Sequence, residues 1–221
     1  MRSGFHDRVE AGGLLADELA SYANQAGVIV VGLPRGGVPV AAEVARRLNA
    51  SLDVFMVRKL GLPGHPELAM GAIATGGVRV LNSDVVDALR IPDEVINNVT
   101  AGENQELQRR ERLYRDDRPP PEVGGKTVIV VDDGVATGST MLAAVSALRQ
   151  LTATRIVIAT PVIARSTYEQ LKTHADEIVT VLCPDEFYGV GQWYEDFSQT
   201  TDDEVRLALA ENSQHVNPAT A

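Results

Sequence analysis

The stretch Val128-Ile129-Val130-Val131-Asp132-Asp133-Gly134-Val135-Ala136-Thr137-Gly138-Ser139-Thr140 decides how the rest of the chain is read. Four consecutive apolar residues make a strand buried on both faces, because a strand with one wet face would alternate polar and apolar. Two carboxylates follow at the strand's end, where they can accept hydrogen bonds from sugar hydroxyls. Small residues then lead into a helix expected over 139–150. The N–H groups of residues 137–140 and the hydroxyls of Ser139 and Thr140 sit at that helix N-terminus, a place that favours phosphate. Together these groups describe a pocket for a ribose carrying a terminal phosphate. A Walker A loop would need a lysine after its last glycine, and a dinucleotide turn would need Gly-x-Gly-x-x-Gly; this stretch has neither. A response-regulator receiver carries paired acids after its first strand, whereas this pair comes after residue 130 with a phosphate-type loop behind it.

The flanks repeat the same logic. Residues 8–25 suit an amphipathic helix with Leu15, Leu19 and Tyr22 on one stripe, ended by Gly27, and 28–31 is a second unbroken apolar strand. A Gly/Pro-rich turn over 32–37 leads into a helix with Val40, Val44 and Leu48 at i, i+4 and i+8, and 52–57 is the next strand. Strand, glycine turn, helix, strand is a βαβ unit. Residues 58–68 hold two prolines, two glycines and mixed charge, which reads as a loop before short strands near 69–73 and 78–81. Residues 93–116 form a charged helix with Glu106/Arg110 and Glu111/Arg115 at i, i+4, stopped by Pro119-Pro120-Pro121. After the second βα unit come a strand at 155–159, a helix carrying Tyr168 and Leu171, and a strand at 178–182. Thr201-Asp202-Asp203-Glu204 is a capping box that opens a short final helix. The expected fold is α/β: a doubly wound, mostly parallel sheet with helices on both faces and the ligand site at the strand C-terminal ends.

Composition narrows the function classes. The chain has 221 residues, 44% hydrophobic and 23% charged, which suits one globular domain. No apolar run approaches the roughly twenty residues of a membrane-spanning helix, and the polar start lacks a secretory signal. The single cysteine, Cys183, can form neither an internal disulfide nor a metal cluster; the expected compartment is the cytoplasm. With 20 basic against 30 acidic residues the net charge is −10, which opposes a nucleic-acid partner, except through a local basic face such as Arg109, Arg110, Arg112 and Arg115. Aromatic residues are scarce, yet Phe187, Tyr188, Trp193, Tyr194 and Phe197 fall within eleven positions.

Residues Asp132 to Thr140, with the apolar run before them, resemble the phosphoribosyl-pyrophosphate (PRPP) motif of type I phosphoribosyltransferases. The resemblance implies that Asp132 and Asp133 hold the ribose hydroxyls and that Ala136, Thr137, Gly138, Ser139 and Thr140 hold the 5′-phosphate. It also implies Mg²⁺ as cofactor, met by Asp132 and Asp133 indirectly, through PRPP oxygens and water. Leu33-Pro34-Arg35-Gly36-Gly37 is similar to the family's pyrophosphate loop, which gives Arg35, Gly36 and Gly37 that role and a cis Pro34–Arg35 peptide. Arg58 and Lys59 match the basic residues of the family's flexible lid, here 58–81, which makes them pyrophosphate contacts and, with Asp132 and Asp133, the catalytic residues; His65 and Glu67 also lie in the lid. The charged segment 83–118 is an insert, and 184–221 is a small hood and tail.

Residues 184–194 loosely resemble the hood run of 6-oxopurine enzymes, which would put Phe187, Tyr188 or Trp193 against the acceptor; the same aromatics could instead fill a small core. Those enzymes carry an aspartate four residues beyond the first acid, where this chain has Ala136, so the acceptor stays open. The implied activity is transfer of the 5-phosphoribosyl group from Mg²⁺-PRPP to a nitrogen nucleophile, a nucleobase by family analogy, with release of pyrophosphate. A homodimer is the family's usual assembly. A non-catalytic PRPP-sensing regulator and a hydrolase of phosphoribosyl compounds are the two alternatives.

Overall fold

Five short, apolar strands run parallel at the centre of the molecule, in a computed structural model that describes residues 4–115 and 118–216. They are β1 (Val28–Gly32), β2 (Ser51–Val54), β6 (Thr127–Val131), β7 (Arg155–Val162) and β8 (Glu177–Leu182), in the order β2-β1-β6-β7-β8. A separate three-stranded antiparallel sheet holds β3 (Val57–Leu62), β4 (His65–Ala74) and β5 (Val78–Leu81). The helices are α1 (Arg8–Glu18), α2 (Gly37–Leu48), α3 (Ser83–Leu89), α4 (Asp93–Arg115), α5 (Ser139–Gln150), α6 (Arg165–Leu171) and α7 (Asp202–Val216).

Successive side chains of β1 and β6 enter two different cores, as period-two alternation requires. Val28, Val30, Ile129 and Val131 pack with α1, α2, α4 and α7 residues such as Leu15, Val44, Leu107 and Leu209. Ile29, Val31, Val128 and Val130 pack on the other face with α5 and α6 residues such as Met141, Val145, Leu148 and Leu171. Helices therefore cover both faces, and the unbroken apolar strands follow from it. The edge strand β2 is protected by α7: Leu52 N–H donates to Asn212 Oδ1 at 2.8 Å, and Asn212 Nδ2 donates to the Ala50 carbonyl at 3.3 Å. The capping box of α7 forms, with Glu204 N–H donating to Thr201 Oγ1 and Thr201 N–H to Glu204 Oε2.

Four local expectations are corrected. The first helix stops at Glu18 and gives way to a 3-10 turn at Ala20–Tyr22. The strand expected over 52–57 ends at Val54, and Val57 already belongs to β3 in the second sheet. The expected loop over 58–68 is a hairpin of β3 and β4, with Gly64 turning at φ +82°. Prolines and glycines bias a reading toward loop, but here only the turn needs them. The final helix is not short; it spans fifteen residues and packs against the edge strand β2. Among the described residues, no helix is long and apolar enough to cross a membrane.

Candidate active site

Parallel pairing of β1 with β6, Gly32 opposite Val131, brings the two loops that follow them side by side. From β1 the chain crosses through α2 to β2 on one side, while β6 to β8 extend the sheet on the other. The site thus lies at the point where strand order reverses, where open α/β sheets hold ligands. Leu33 N–H donates to the Val131 carbonyl at 2.8 Å, tying the start of the glycine turn to the end of β6.

The approach of the two loops is close enough to dictate residue type. A Cβ on Gly37 would stand 2.7 Å from the Val131 carbonyl oxygen and 2.9 Å from Asp132 Cα, and one on Gly36 would strike the Asp133 carboxylate. The Pro34–Arg35 peptide is cis. Arg35 Nη1 is 3.8 Å from Asp202 Oδ1 at the start of α7, and that carboxylate also accepts the Tyr114 hydroxyl at 2.6 Å. Burial, and the hydrogen bond to Asp202, push the Tyr114 pKa up to about 12.

Asp132 and Asp133 are recessed rather than sealed. The Asp133 N–H donates to Asp132 Oδ1 at 2.9 Å. Burial first, and then the adjacent Asp133 charge, push the Asp132 pKa well above the usual carboxylate range. Burial also raises Asp133, against the opposing pull of the Arg8 guanidinium. Arg8 Nε and Nη2 both reach Asp133 Oδ2 at 2.9 Å, and the Tyr194 hydroxyl donates to the Asp133 carbonyl at 2.5 Å. Burial, then the Asp133 charge, raise the Tyr194 pKa.

Behind the acids the loop is pinned from outside. Val135 N–H donates to Val162 O at 2.9 Å, Ala164 N–H donates to Val135 O at 3.1 Å, and the Thr167 hydroxyl donates to the Ala136 carbonyl. Gly138 is the N-cap of α5 at φ +74°, and no side chain caps it. The first-turn N–H groups of α5 have no intrahelical acceptor, so with the exposed Thr137, Ser139 and Thr140 they offer donors to an anion.

The lid residues diverge. Arg58 and Lys59 are neighbours on β3 and point to opposite faces. Arg58 meets α4, its Nη2 2.5 Å from Glu103 Oε2. Lys59 lines a cleft shared with Ser139, Thr140, Asn82, Asp84 and His174. His65 opens β4 and is exposed; Glu67 lies on the same strand, with its side chain outside the described residues.

The hood aromatics separate as well. Tyr188 is 86% exposed. Phe187 and Trp193 pack on each other at 6.2 Å between ring centroids, in a small core with Phe5 and Tyr194. On the charged helix, Glu106 pairs with both Arg109 and Arg110, and Arg115 is buried against Asp53 and Glu111. Three of the four arginines of the supposed basic face are therefore tied to carboxylates.

Arg8 and Tyr194 were not among the expected site residues. Asp7-x-x-Glu10 could have placed Arg8 at a helix start, since Asp7 Oδ1 accepts Glu10 N–H at 2.8 Å. Nothing local placed that helix start opposite Asp133.

The family model for the phosphoribosyl transferase domain matches residues 67–197. Two Mycobacterium tuberculosis proteins, from strain CDC 1551 / Oshkosh and strain H37Rv, provisionally named phosphoribosyl transferases, are each 46% identical over 201 residues. The alignment covers 91% of this chain and 45% of each relative, so the chain spans about half the length of the curated relatives it matches. The crystal structure of TT1426 from Thermus thermophilus superposes with a TM-score of 0.85 at 43% identity, covering 96% of this chain and 99% of that one.

Proposed function

The chain belongs to the phosphoribosyl transferase domain family, and from that premise we propose that it binds Mg²⁺-PRPP and transfers the 5-phosphoribosyl group to a nitrogen nucleophile, a nucleobase by class, releasing pyrophosphate. The observation that carries the reading is the meeting of two loops' chemistry at one switch point. An acid pair followed by an uncapped helix N-terminus, and a glycine turn packed against the acids, lie together at the C-terminal ends of β1 and β6.

In this reading the α5 amides with Ser139 and Thr140 hold the 5′-phosphate. Asp132 and Asp133 accept the ribose hydroxyls. Arg35, with the Gly36 amide, receives pyrophosphate, the Gly37 N–H being donated to the Leu33 carbonyl at 3.1 Å, and Lys59 approaches from the lid over 58–81. The bond from ribose C1 to the pyrophosphate oxygen breaks and a bond from C1 to the acceptor nitrogen forms. Charge leaves with the pyrophosphate, so fixed cations beside it act on the transition state.

No cluster of three or more His, Cys, Asp or Glu side chains able to hold a metal exists among the described residues. Two adjacent carboxylates instead fit a cation that keeps much of its water and takes phosphate oxygens, as Mg²⁺ does. When bound, Mg²⁺ would neutralise pyrophosphate charge.

The test is thermal unfolding with saturating PRPP, with and without Mg²⁺, on the wild type and the Asp132→Asn/Asp133→Asn double variant. Ligand at 100 times Kd should add about 2.7 kcal/mol, or roughly 5–10 °C for a domain of this size. A Mg²⁺-dependent rise lost in the double variant supports the reading; a wild type with an unchanged midpoint refutes it. Pyrophosphate release then sorts the alternatives. Release that needs an added base marks a transferase, release without one marks a hydrolase, and binding without release marks a sensor.

A further inference from the structure

We propose that Arg8 is a positioning residue for the ribose-binding carboxylate Asp133, a role that rests on the PRPP reading above. Two donors of one guanidinium meet one oxygen: Nε and Nη2 both lie 2.9 Å from Asp133 Oδ2. Only 11% of the Arg8 side chain and 13% of the Asp133 side chain are exposed. Oδ2 is therefore spent inside the protein, and it also abuts Gly36. Oδ1 is the oxygen left to accept a ribose hydroxyl. A carboxylate free to rotate about its last bond would offer either oxygen in many orientations; Arg8 removes that freedom before the ligand arrives.

Arg8 is itself fixed from three sides. Its Nη1 donates to the Ser198 carbonyl at 2.8 Å, and its guanidinium carbon stands 4.1 Å over the Phe197 ring centroid. As the first residue of α1, with Asp7 as N-cap, its backbone is set by the helix start. Residues 5–8 are in turn stitched to the hood, since Phe5 N–H donates to Trp193 O at 2.7 Å and Glu195 N–H donates to Phe5 O at 2.9 Å. The hood thus reaches the acid pair through an arginine 125 positions away in sequence from Asp133.

A structural role alone would weaken every ligand, whereas a positioning role should weaken only those that carry the ribose. The experiment is calorimetric titration of wild type, Arg8→Met and Arg8→Lys with PRPP and with inorganic pyrophosphate, both with Mg²⁺. Arg8→Met should lose about tenfold or more in PRPP affinity, the scale of one charged hydrogen bond, while pyrophosphate affinity changes less than about twofold. Arg8→Lys keeps the charge but offers a single donor atom, and should fall between the two. If Arg8→Met does not fold, Arg8→Lys decides the matter, with PRPP weakened about threefold or more and pyrophosphate unchanged. Equal PRPP affinity in wild type and variants, or equal losses for PRPP and pyrophosphate, would overturn the positioning role. A wild type that binds pyrophosphate but not PRPP would overturn the functional reading and this role with it.

Discussion

Gly36 and Asp133 leave no space between them: a Cβ at position 36 would lie 2.0 Å from Asp133 Oδ2. Gly36 has ordinary right-handed angles, φ −60° and ψ −32°, so its backbone would accept any residue and proximity alone demands glycine. The carboxylate cannot swing aside freely, because Arg8 holds the same oxygen. Gly36→Ala is expected to cost about 1–3 kcal/mol by overpacking and to lower the unfolding midpoint by about 2–4 °C per kcal/mol. PRPP-induced stabilisation should shrink with it. Wild-type behaviour in both measurements would mean that the turn can retreat without cost.

Asp132 should trade stability for binding. Its native pKa lies above the unfolded value of about 4, so its favourable contribution is present below that pH and is lost as pH rises through the native pKa. Asparagine does not titrate, and its carbonyl oxygen can still accept the Asp133 N–H. Asp132→Asn should therefore stabilise the ligand-free protein at neutral pH by about 0.5–2 kcal/mol. The gain should fade as pH drops toward 4, and PRPP should stabilise the variant less than wild type. Thermal unfolding across that pH range reads all three, and a variant less stable than wild type at neutral pH would refute the assignment.

Lys59 and Arg58 should behave differently despite being neighbours. Lys59 shares a cleft with Ser139 and Thr140, whereas Arg58 is paired with Glu103 on the other face of β3. Lys59→Met is expected to weaken PRPP and pyrophosphate by about tenfold, the scale of one charged contact. Arg58→Met should leave both within about twofold and affect mainly stability. Binding titrations on the two variants check it, and a larger loss for Arg58→Met would reverse the roles.

Asn212 offers a stability test remote from the acids. Its side chain stands in for a neighbouring strand along β2. Asn212→Leu would leave the Leu52 N–H and the Ala50 carbonyl unmet, at about 1–3 kcal/mol for each buried group. The unfolding midpoint should fall by several degrees while PRPP affinity, measured on folded protein, stays unchanged. A fall in affinity as large as that of Asp132→Asn would tie the sheet edge to the site.

Much of the site was legible because its signals are local. An apolar run followed by two acids, small residues and a hydroxyl-rich helix start carries its geometry in consecutive peptides, and Val131 to Thr140 adopt it. The glycine turn was legible for the same reason, whereas the cis Pro34–Arg35 peptide was implied only by the family resemblance. The hairpin at 57–74 was not: Pro63, Gly64 and Pro66 read as loop, while the pairing of Arg58 with Ile73 that makes it a strand is a non-local bond. Arg58 and Lys59 likewise cannot be told apart until β3 has a sheet face on each side.

Local pattern alone carried the α/β class, the succession of parallel strands and the helices between them, and the two loops of the candidate site, because backbone propensity and periodicity act over a few residues; it carried neither β3 nor α3. Which distant polar groups meet is a matter of tertiary packing: Arg8 with the Asp133 carboxylate, the Tyr194 hydroxyl with the Asp133 carbonyl, Arg35 with Asp202. These pairs join residues that share no local pattern, and they exist because the fold brings the starts of α1 and α7 and residue 194 to the C-terminal ends of β1 and β6. A buried acid pair needs a cation; the fold, and not the stretch that holds the acids, supplies Arg8 from the start of α1.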